Sequence, residues 1–270
     1  METGEDTFDP FNSPQLQGGI VGMFLTYLTC TLVTMTTRQF VRDRTYKMSI
    51  LTSVRTINFL AWSIILFFMS SHIPVTFNLG IVFLQVVAYV WIFDQVPFSP
   101  CGVYNDFLES QITTQQTIIM LLLQFITAPI SILLADFYLY YFFTKSHAWE
   151  GWFLQYSEDH IQFLNVPFLQ AFIIEMVGPG LLSLTPYITK NKLIYTLLIS
   201  TEVVVLSILF VSRTGFFINP LNATLFLIMY GKERSYVEWF IVYCIAPMLG
   251  TWVAVSIIGK RLKQEKQKLP

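Results

Sequence analysis

Two stretches of this sequence have chemistry to offer: Ser99-Pro100-Cys101-Gly102-Val103 and Asn219-Pro220-Leu221-Asn222-Ala223. Each opens on a side chain that can accept a hydrogen bond from the free N–H groups of a helix start. A proline follows, where its missing N–H is not needed. Each stretch therefore predicts a short helix. The second continues as Thr224-Leu225-Phe226-Leu227-Ile228-Met229 before Tyr230-Gly231, too short to cross a bilayer and apolar enough to enter one. A helix start carries partial positive charge on its free N–H groups. Two such starts buried opposite one another would repel cations and protons, while the cap side chains orient a passing neutral molecule. Either motif alone is an ordinary way to open a turn, so their placement has to give them meaning.

Other chemistry is poorly represented. The histidines are His72, His147 and His160, none in a zinc-type pair, and no nucleophile or phosphate-loop motif is present. Cys30, Cys101 and Cys244 show neither metal-ligand spacing nor the density of a disulfide scaffold, and they read as packing residues. No enzyme, metal or cofactor is expected.

The elements that must position the motifs are membrane helices. Apolar residues make up 54% of the 270, charged residues 12%, and mean hydropathy is +0.58, which leaves too little charge to solvate a soluble domain. The net charge of −1 gives no reason to expect nucleic acid. Seven segments have roughly the 20 apolar residues that a span needs, or nearly so: 19–36, 48–70, 77–93, 117–143, 166–188, 193–211 and 237–258. Basic residues gather after the first (Arg38, Arg42, Arg44, Lys47), between the fifth and sixth (Lys190, Lys192) and after the last (Lys260, Arg261, Lys263, Lys266, Lys268), all on one side of such a bundle. The bias of basic loops toward the cytoplasm predicts a cytoplasmic C-terminus and an acidic N-terminus on the other side. Residues 1–14 lack the positive flank of a cleavable signal, so the first segment should be retained. The first motif then follows the third span and the second follows the sixth, on opposite faces. The expected fold is all-α: an inverted repeat with three spans and one half-helix in each half.

In these residues the chain resembles the aquaporin superfamily, and within it the divergent intracellular branch called unorthodox aquaporins or superaquaporins. That branch typically reads Asn-Pro-Cys and then Asn-Pro-Ala. The matching text here is Ser99-Pro100-Cys101-Gly102-Val103 and Thr214-Gly215-Phe216-Phe217-Ile218-Asn219-Pro220-Leu221. Further similarity lies in Phe240-Ile241-Val242-Tyr243-Cys244-Ile245-Ala246-Pro247-Met248-Leu249-Gly250 and in Leu169-Gln170-Ala171-Phe172-Ile173-Ile174-Glu175. The resemblance implies six spans and two re-entrant half-helices, with the segment near 19–36 added in front. It divides the chain into an acidic segment (1–18), the extra helix and basic loop (19–47), a first repeat (48–143), a connecting loop (144–165), a second repeat (166–258) and a basic tail (259–270).

The resemblance also implies pore motifs at Ser99, Pro100, Cys101, Asn219, Pro220 and Leu221, and a selectivity constriction at Asn222, Phe216 and Ser207, with a fourth position near Leu79. Asn222 stands where the orthodox family has an arginine, so larger neutral solutes should pass and cations should be excluded less strictly. Ser99 reaches less far than asparagine. Glu175 matches the family glutamate that braces the half-helix loop by accepting backbone N–H groups, against a generic packing role. Arg55 and Glu175 each lie 44 residues before their motif, so Arg55 stands where a second brace would be. Arg55 is expected to snorkel to the interface, ahead of a new pairing inside the bundle, Asp136 and Glu202 to make interfacial or interhelical hydrogen bonds, and Trp149, Trp152 and Trp239 to lie in interfacial belts. Asn222-Ala223-Thr224 is a glycosylation sequon placed where modification is not expected.

The function this implies is a passive channel for water and small neutral solutes such as glycerol or hydrogen peroxide, in the lipid bilayer and, by the superfamily's habit, as a homotetramer. A seven-helix receptor satisfies the same span arithmetic, and an aquaporin-fold organiser that conducts nothing fits the same residues. Lys266 and Lys268 resemble a dilysine retrieval signal, which would place the protein in the endoplasmic reticulum or another intracellular membrane; simple topology charge is the other reading.

Overall fold

The computed structural model describes residues 14–70, 72–93, 96–143, 163–230 and 235–262. Expectations for His147, Trp149, Trp152, His160, the acidic N-terminus and the lysines beyond Leu262 fall outside them.

Among the described residues the structure is helical throughout: α1 (Pro14–Phe40), α2 (Arg44–Ser70), α3 (Val75–Phe93), the short α4 (Pro100–Leu108), α5 (Thr114–Phe143), α6 (Phe168–Ile188), α7 (Lys192–Thr214), the short α8 (Pro220–Tyr230) and α9 (Tyr236–Leu262). Local chemistry sets the helix starts. Asp43 accepts from the N–H groups of Thr45 and Tyr46 ahead of α2, and Asn191 from Leu193 and Ile194 ahead of α7. Thr113 and Gln116 form a reciprocal capping box at α5: Gln116 N–H donates to the Thr113 hydroxyl, and the Gln116 side-chain carbonyl accepts from Thr113 N–H. Among the described residues, six helices are long and apolar enough to cross a membrane. The shorter α3, with 19 residues, still rises about 28 Å at 1.5 Å per residue.

Contacts at the helix ends fix the topology. Lys192, opening α7, lies 5.4 Å from the ring centroid of Trp91 near the end of α3. The Tyr187 hydroxyl donates to Glu109, and both line a hollow with Lys260, so the ends of α4, α6 and α9 share this face. The face also holds Arg38, Arg42, Arg44, Lys47, Lys190, Lys192, Lys260 and Arg261. At the opposite face Asn165, ahead of α6, hydrogen-bonds through its backbone and side chain to the carbonyls of Arg213 and Ser212 at the end of α7. The short helix α4 thus belongs to the basic face and α8 to the opposite one. Helix α2 packs on α5 and α6 on α9, the first and third long helices of each half; α3 meets α7 across the seam between halves, and α4 touches α8. This is the expected inverted repeat. The extra helix α1 runs longer than 19–36 and packs outside α2 and α5, tied by Trp62 Nε1–H donating to the Met23 carbonyl (2.9 Å).

Lipid tails are as apolar as leucine, so helix association here depends on close packing and hydrogen bonds. The tightest crossing is α6 on α9. A methyl group on Gly250 would stand 1.9 Å from the Met176 carbonyl oxygen, and one on Gly180 3.2 Å from the Gly250 carbonyl oxygen. Outward faces carry rows of exposed apolar side chains, among them Phe24, Leu28, Leu32 and Met35 on α1, as a lipid-facing surface requires. Trp239 corrects an expectation: it is buried against Tyr243 rather than placed in an interfacial belt.

Candidate functional site

The two motifs build the same backbone with different caps. Val103 N–H donates to the Ser99 carbonyl (3.0 Å), and Ala223 N–H to the Asn219 carbonyl (3.1 Å). The Ser99 hydroxyl oxygen accepts from Gly102 N–H at 3.1 Å, whereas Asn219 Oδ1 accepts from Leu221 N–H at 3.0 Å. Pro100 and Leu221 are buried, as is Cys101, whose thiol lies 3.9 Å from Met248 Sδ on α9. The three cysteines are free thiols.

Asn219 is 3% exposed, and its Nδ2 has no hydrogen-bond partner; Asn222, one helical turn further, is also buried, with Oδ1 unpartnered. An unmet amide donor inside a protein is disfavoured by roughly 1–3 kcal/mol unless something polar occupies the space before it. The sequon asparagine is therefore enclosed.

The loop before Asn219 is strained and heavily tied. Gly215, Phe216 and Ile218 all have left-handed backbone, with φ of 72°, 44° and 54°. For a β-branched isoleucine this is an outlier, worth about 1–3 kcal/mol of strain that the surroundings must offset. Glu175, fully enclosed, accepts from Ile218 N–H (3.2 Å) through one oxygen and from the Thr214 hydroxyl (2.7 Å) through the other. Thr214 is the hub. Its hydroxyl oxygen also accepts from Phe216 N–H (3.2 Å), and its carbonyl accepts from the Tyr243 hydroxyl (2.6 Å). Thr214 and Tyr243 lie within the segments that carried the family resemblance, yet their part in this network has no signal in residue type or spacing.

Phe216 packs with Ile174 and Leu206, and its ring occupies the space left by Gly178, where a methyl group would stand 2.7 Å away. Ser207 is half-buried on α7 beside Leu206, and Leu79 is half-buried on α3. The structure thus joins Phe216 to the Glu175 network; Asn222 and Ser207 make no described hydrogen bond with it.

The first loop is tied differently. Arg55 does not snorkel: it is 3% exposed, with its guanidinium carbon 5.0 Å from the Tyr89 ring centroid and 6.0 Å from that of Phe98. The Tyr89 hydroxyl donates to the Arg55 carbonyl (2.6 Å), and the Thr56 hydroxyl to the Phe98 carbonyl (3.2 Å). Glu202 accepts from the Thr185 hydroxyl (2.7 Å) between α7 and α6, as expected of an interhelical bond. The Oδ1 of Asp136 on α5 is enclosed without a hydrogen-bond partner. Among the described residues no group of acidic, histidine or cysteine side chains could hold a metal.

No family model matches the chain. No curated protein matches it. Among solved structures it is similar to the X-ray structure of the aquaglyceroporin from Plasmodium falciparum, with 16% identity, a TM-score of 0.49, and coverage of 92% of this chain and 98% of that one.

Proposed function

We propose that the chain is a passive channel of the aquaporin type for water and small neutral solutes such as glycerol or hydrogen peroxide. One observation carries the reading: Asn219 spends its oxygen on capping α8 and keeps an enclosed, unpartnered amide donor there, where a half-helix from each face enters the bundle. A dry interior disfavours such a donor, and a passing hydroxyl or water oxygen satisfies it.

In this reading 48–143 and 166–258 are the two repeats, and 19–47 is an addition on the outside. Pro100, Cys101, Pro220 and Leu221 set the half-helix starts, Ser99 is the weaker cap partner of Asn219, and Glu175 braces the strained loop. Asn222, Phe216 and Ser207 frame an uncharged constriction that admits solutes larger than water. The basic face is cytoplasmic, the membrane intracellular and the assembly a homotetramer with a conduit in each copy; these three rest on basic-residue placement and the family resemblance. Swelling of proteoliposomes tests the reading. Permeability equal to that of empty vesicles for water, glycerol and hydrogen peroxide would defeat it.

A further inference from the structure

Four of the cations on the basic face gather at one junction. Arg38 stands in the last turn of α1, Arg42 in the three-residue connection 41–43, and Arg44 and Lys47 in the first turn of α2. Elsewhere on that face Lys192 lies against the Trp91 ring, and Lys260 lines the hollow with Glu109 and Tyr187. Among the described residues no hydrogen bond, ion pair or ring contact involves the side chains of the four, and Arg38, Arg42 and Arg44 are exposed.

The neighbouring sequence offers this group little counter-charge. Asp43 is the one acidic residue between positions 10 and 93. Its Oδ1 is spent on the start of α2, accepting from Thr45 N–H (2.8 Å) and Tyr46 N–H (3.0 Å). The short connection also keeps the charges together. Helix α1 packs along α2; packed helices lie about 8–10 Å apart and each helical residue adds about 1.5 Å, so the four Cα atoms fall within about 15 Å of one another. A cluster tied down by two packed helices loses little freedom when a multivalent anion engages it.

The junction carries aromatic anchors as well. Phe40, ending α1, is 71% exposed, and Tyr46, in the first turn of α2, is 70% exposed. Aromatic side chains at the ends of spans settle at headgroup level, and basic clusters directly after a span meet the phosphates of the lipid surface. Charge that merely orients a bundle acts by number and needs no such arrangement. Three of the four cations here are arginines, whose planar forks each grip two phosphate oxygens, where an ammonium meets them as a point charge. Phosphatidylserine offers such a cluster one phosphate; an inositol phospholipid with added phosphomonoesters offers several on one ring.

We propose that the junction of α1 and α2 docks the headgroup of an inositol phospholipid bearing phosphomonoesters, with Arg38, Arg42, Arg44 and Lys47 on its phosphates and Phe40 and Tyr46 in the interface beside it. Helix α1 packs outside α2 and α5, so a lipid held across the junction ties this outer helix to the bundle and stabilises the folded protein. The inference needs only the membrane helices, and it stands whether or not the chain conducts.

The test uses the full chain in detergent at about 0.15 M salt. Affinity and thermal unfolding are measured with dioctanoyl phosphatidylinositol bisphosphate, dioctanoyl phosphatidylserine, dioctanoyl phosphatidylcholine and inositol trisphosphate, which is the headgroup without acyl chains. Wild type binds the bisphosphate lipid about tenfold or more tighter than phosphatidylserine, and that lipid raises the unfolding midpoint most. Arg38→Gln, Arg42→Gln, Arg44→Gln and Lys47→Gln together abolish the preference, whereas Lys260→Gln with Arg261→Gln, on the same face, keeps it within about twofold. Arg38→Lys, Arg42→Lys and Arg44→Lys together keep the charge that orients the chain and lower the preference about threefold or more; this variant decides the matter if the neutral one does not fold. Inositol trisphosphate binds about tenfold more weakly than the lipid. The inference is overturned if wild type binds phosphatidylserine or phosphatidylcholine as tightly as the bisphosphate lipid, which leaves plain topology charge. It is overturned equally if the four-residue glutamine variant keeps the preference, if the control pair loses it, if the lysine variant matches wild type, or if inositol trisphosphate binds as tightly as the lipid, which makes the ligand a soluble phosphate.

Discussion

Arg55 and Glu175 occupy the same place in the two halves of the molecule and carry opposite charge. Each lies 44 residues before its motif, and each meets the residue immediately ahead of that motif: Glu175 through the Ile218 N–H, Arg55 against the Phe98 ring. The consequences differ because the loops differ. The second loop contains two left-handed non-glycine residues and needs an acceptor to hold its N–H groups; within 96–98 no residue has positive φ, and there a planar cation stacks on aromatic rings instead.

Glu175 should therefore be a stability residue as well as a positioning one. Glu175→Ala leaves the Ile218 N–H and the Thr214 hydroxyl without their acceptor in a strained loop, and should destabilise the protein by about 3 kcal/mol or more. Glu175→Gln keeps one acceptor oxygen and should lose about half as much. Thermal unfolding in detergent should rank wild type, Glu175→Gln and Glu175→Ala in that order. Equal midpoints for all three would contradict the network.

Asn219 separates capping from donation. Asn219→Asp retains an oxygen for the Leu221 N–H and loses the Nδ2 donor, so the folded protein should persist while swelling rates fall about tenfold. Asn219→Ala should lose the same flux and about 1 kcal/mol of stability besides. Full flux through Asn219→Asp would show that the amide is not on the solute's path.

Much of this arrangement is legible in residue order, and the reasons are local. A cap residue, a proline and an apolar stretch too short to span mark α8 without further information, and Glu175 stands out because a carboxylate inside a span needs a partner. What stays hidden is which side of each helix faces inward. In a bilayer both faces of a helix can be apolar, so the outward row Phe24, Leu28, Leu32 and the inward row Leu60, Ile64, Phe68 look alike in sequence. The same ambiguity put Trp239 at the interface and Arg55 among the snorkelling residues. The Tyr243–Thr214 bond spans 29 residues and depends on how α9 crosses the second loop, which no local pattern encodes.

That crossing gives a third prediction. Gly250→Ala must push α9 away from the Met176 carbonyl, and since α9 also carries Tyr243 and Met248, both short helices should shift with it. Overpacking of this kind is destabilising by about 1–3 kcal/mol and often more. Gly80→Ala, where a methyl group meets nothing within 4 Å, is the control. Size-exclusion chromatography in detergent should show an aggregated or poorly yielding Gly250→Ala beside a normal Gly80→Ala. Normal behaviour of both would mean that the helices are not so close.

Cys101 provides a chemical handle on the conduit. Its thiol, at the start of α4, faces Met248, while Cys30 on the outer helix α1 packs with Tyr89 of α3. Mercuric ion should inhibit swelling of wild type and of Cys30→Ala vesicles and should leave Cys101→Ala vesicles unaffected. Inhibition that survives in Cys101→Ala and disappears in Cys30→Ala would place the path elsewhere.

Stopped-flow swelling of proteoliposomes holding the 270-residue wild-type chain measures directly whether it conducts small neutral molecules. Water, glycerol or hydrogen peroxide should cross clearly faster than in empty vesicles, with that excess abolished in Asn219→Ala vesicles of matched protein content. Rates equal to those of empty vesicles for every solute, or an excess that Asn219→Ala retains in full, would contradict conduction.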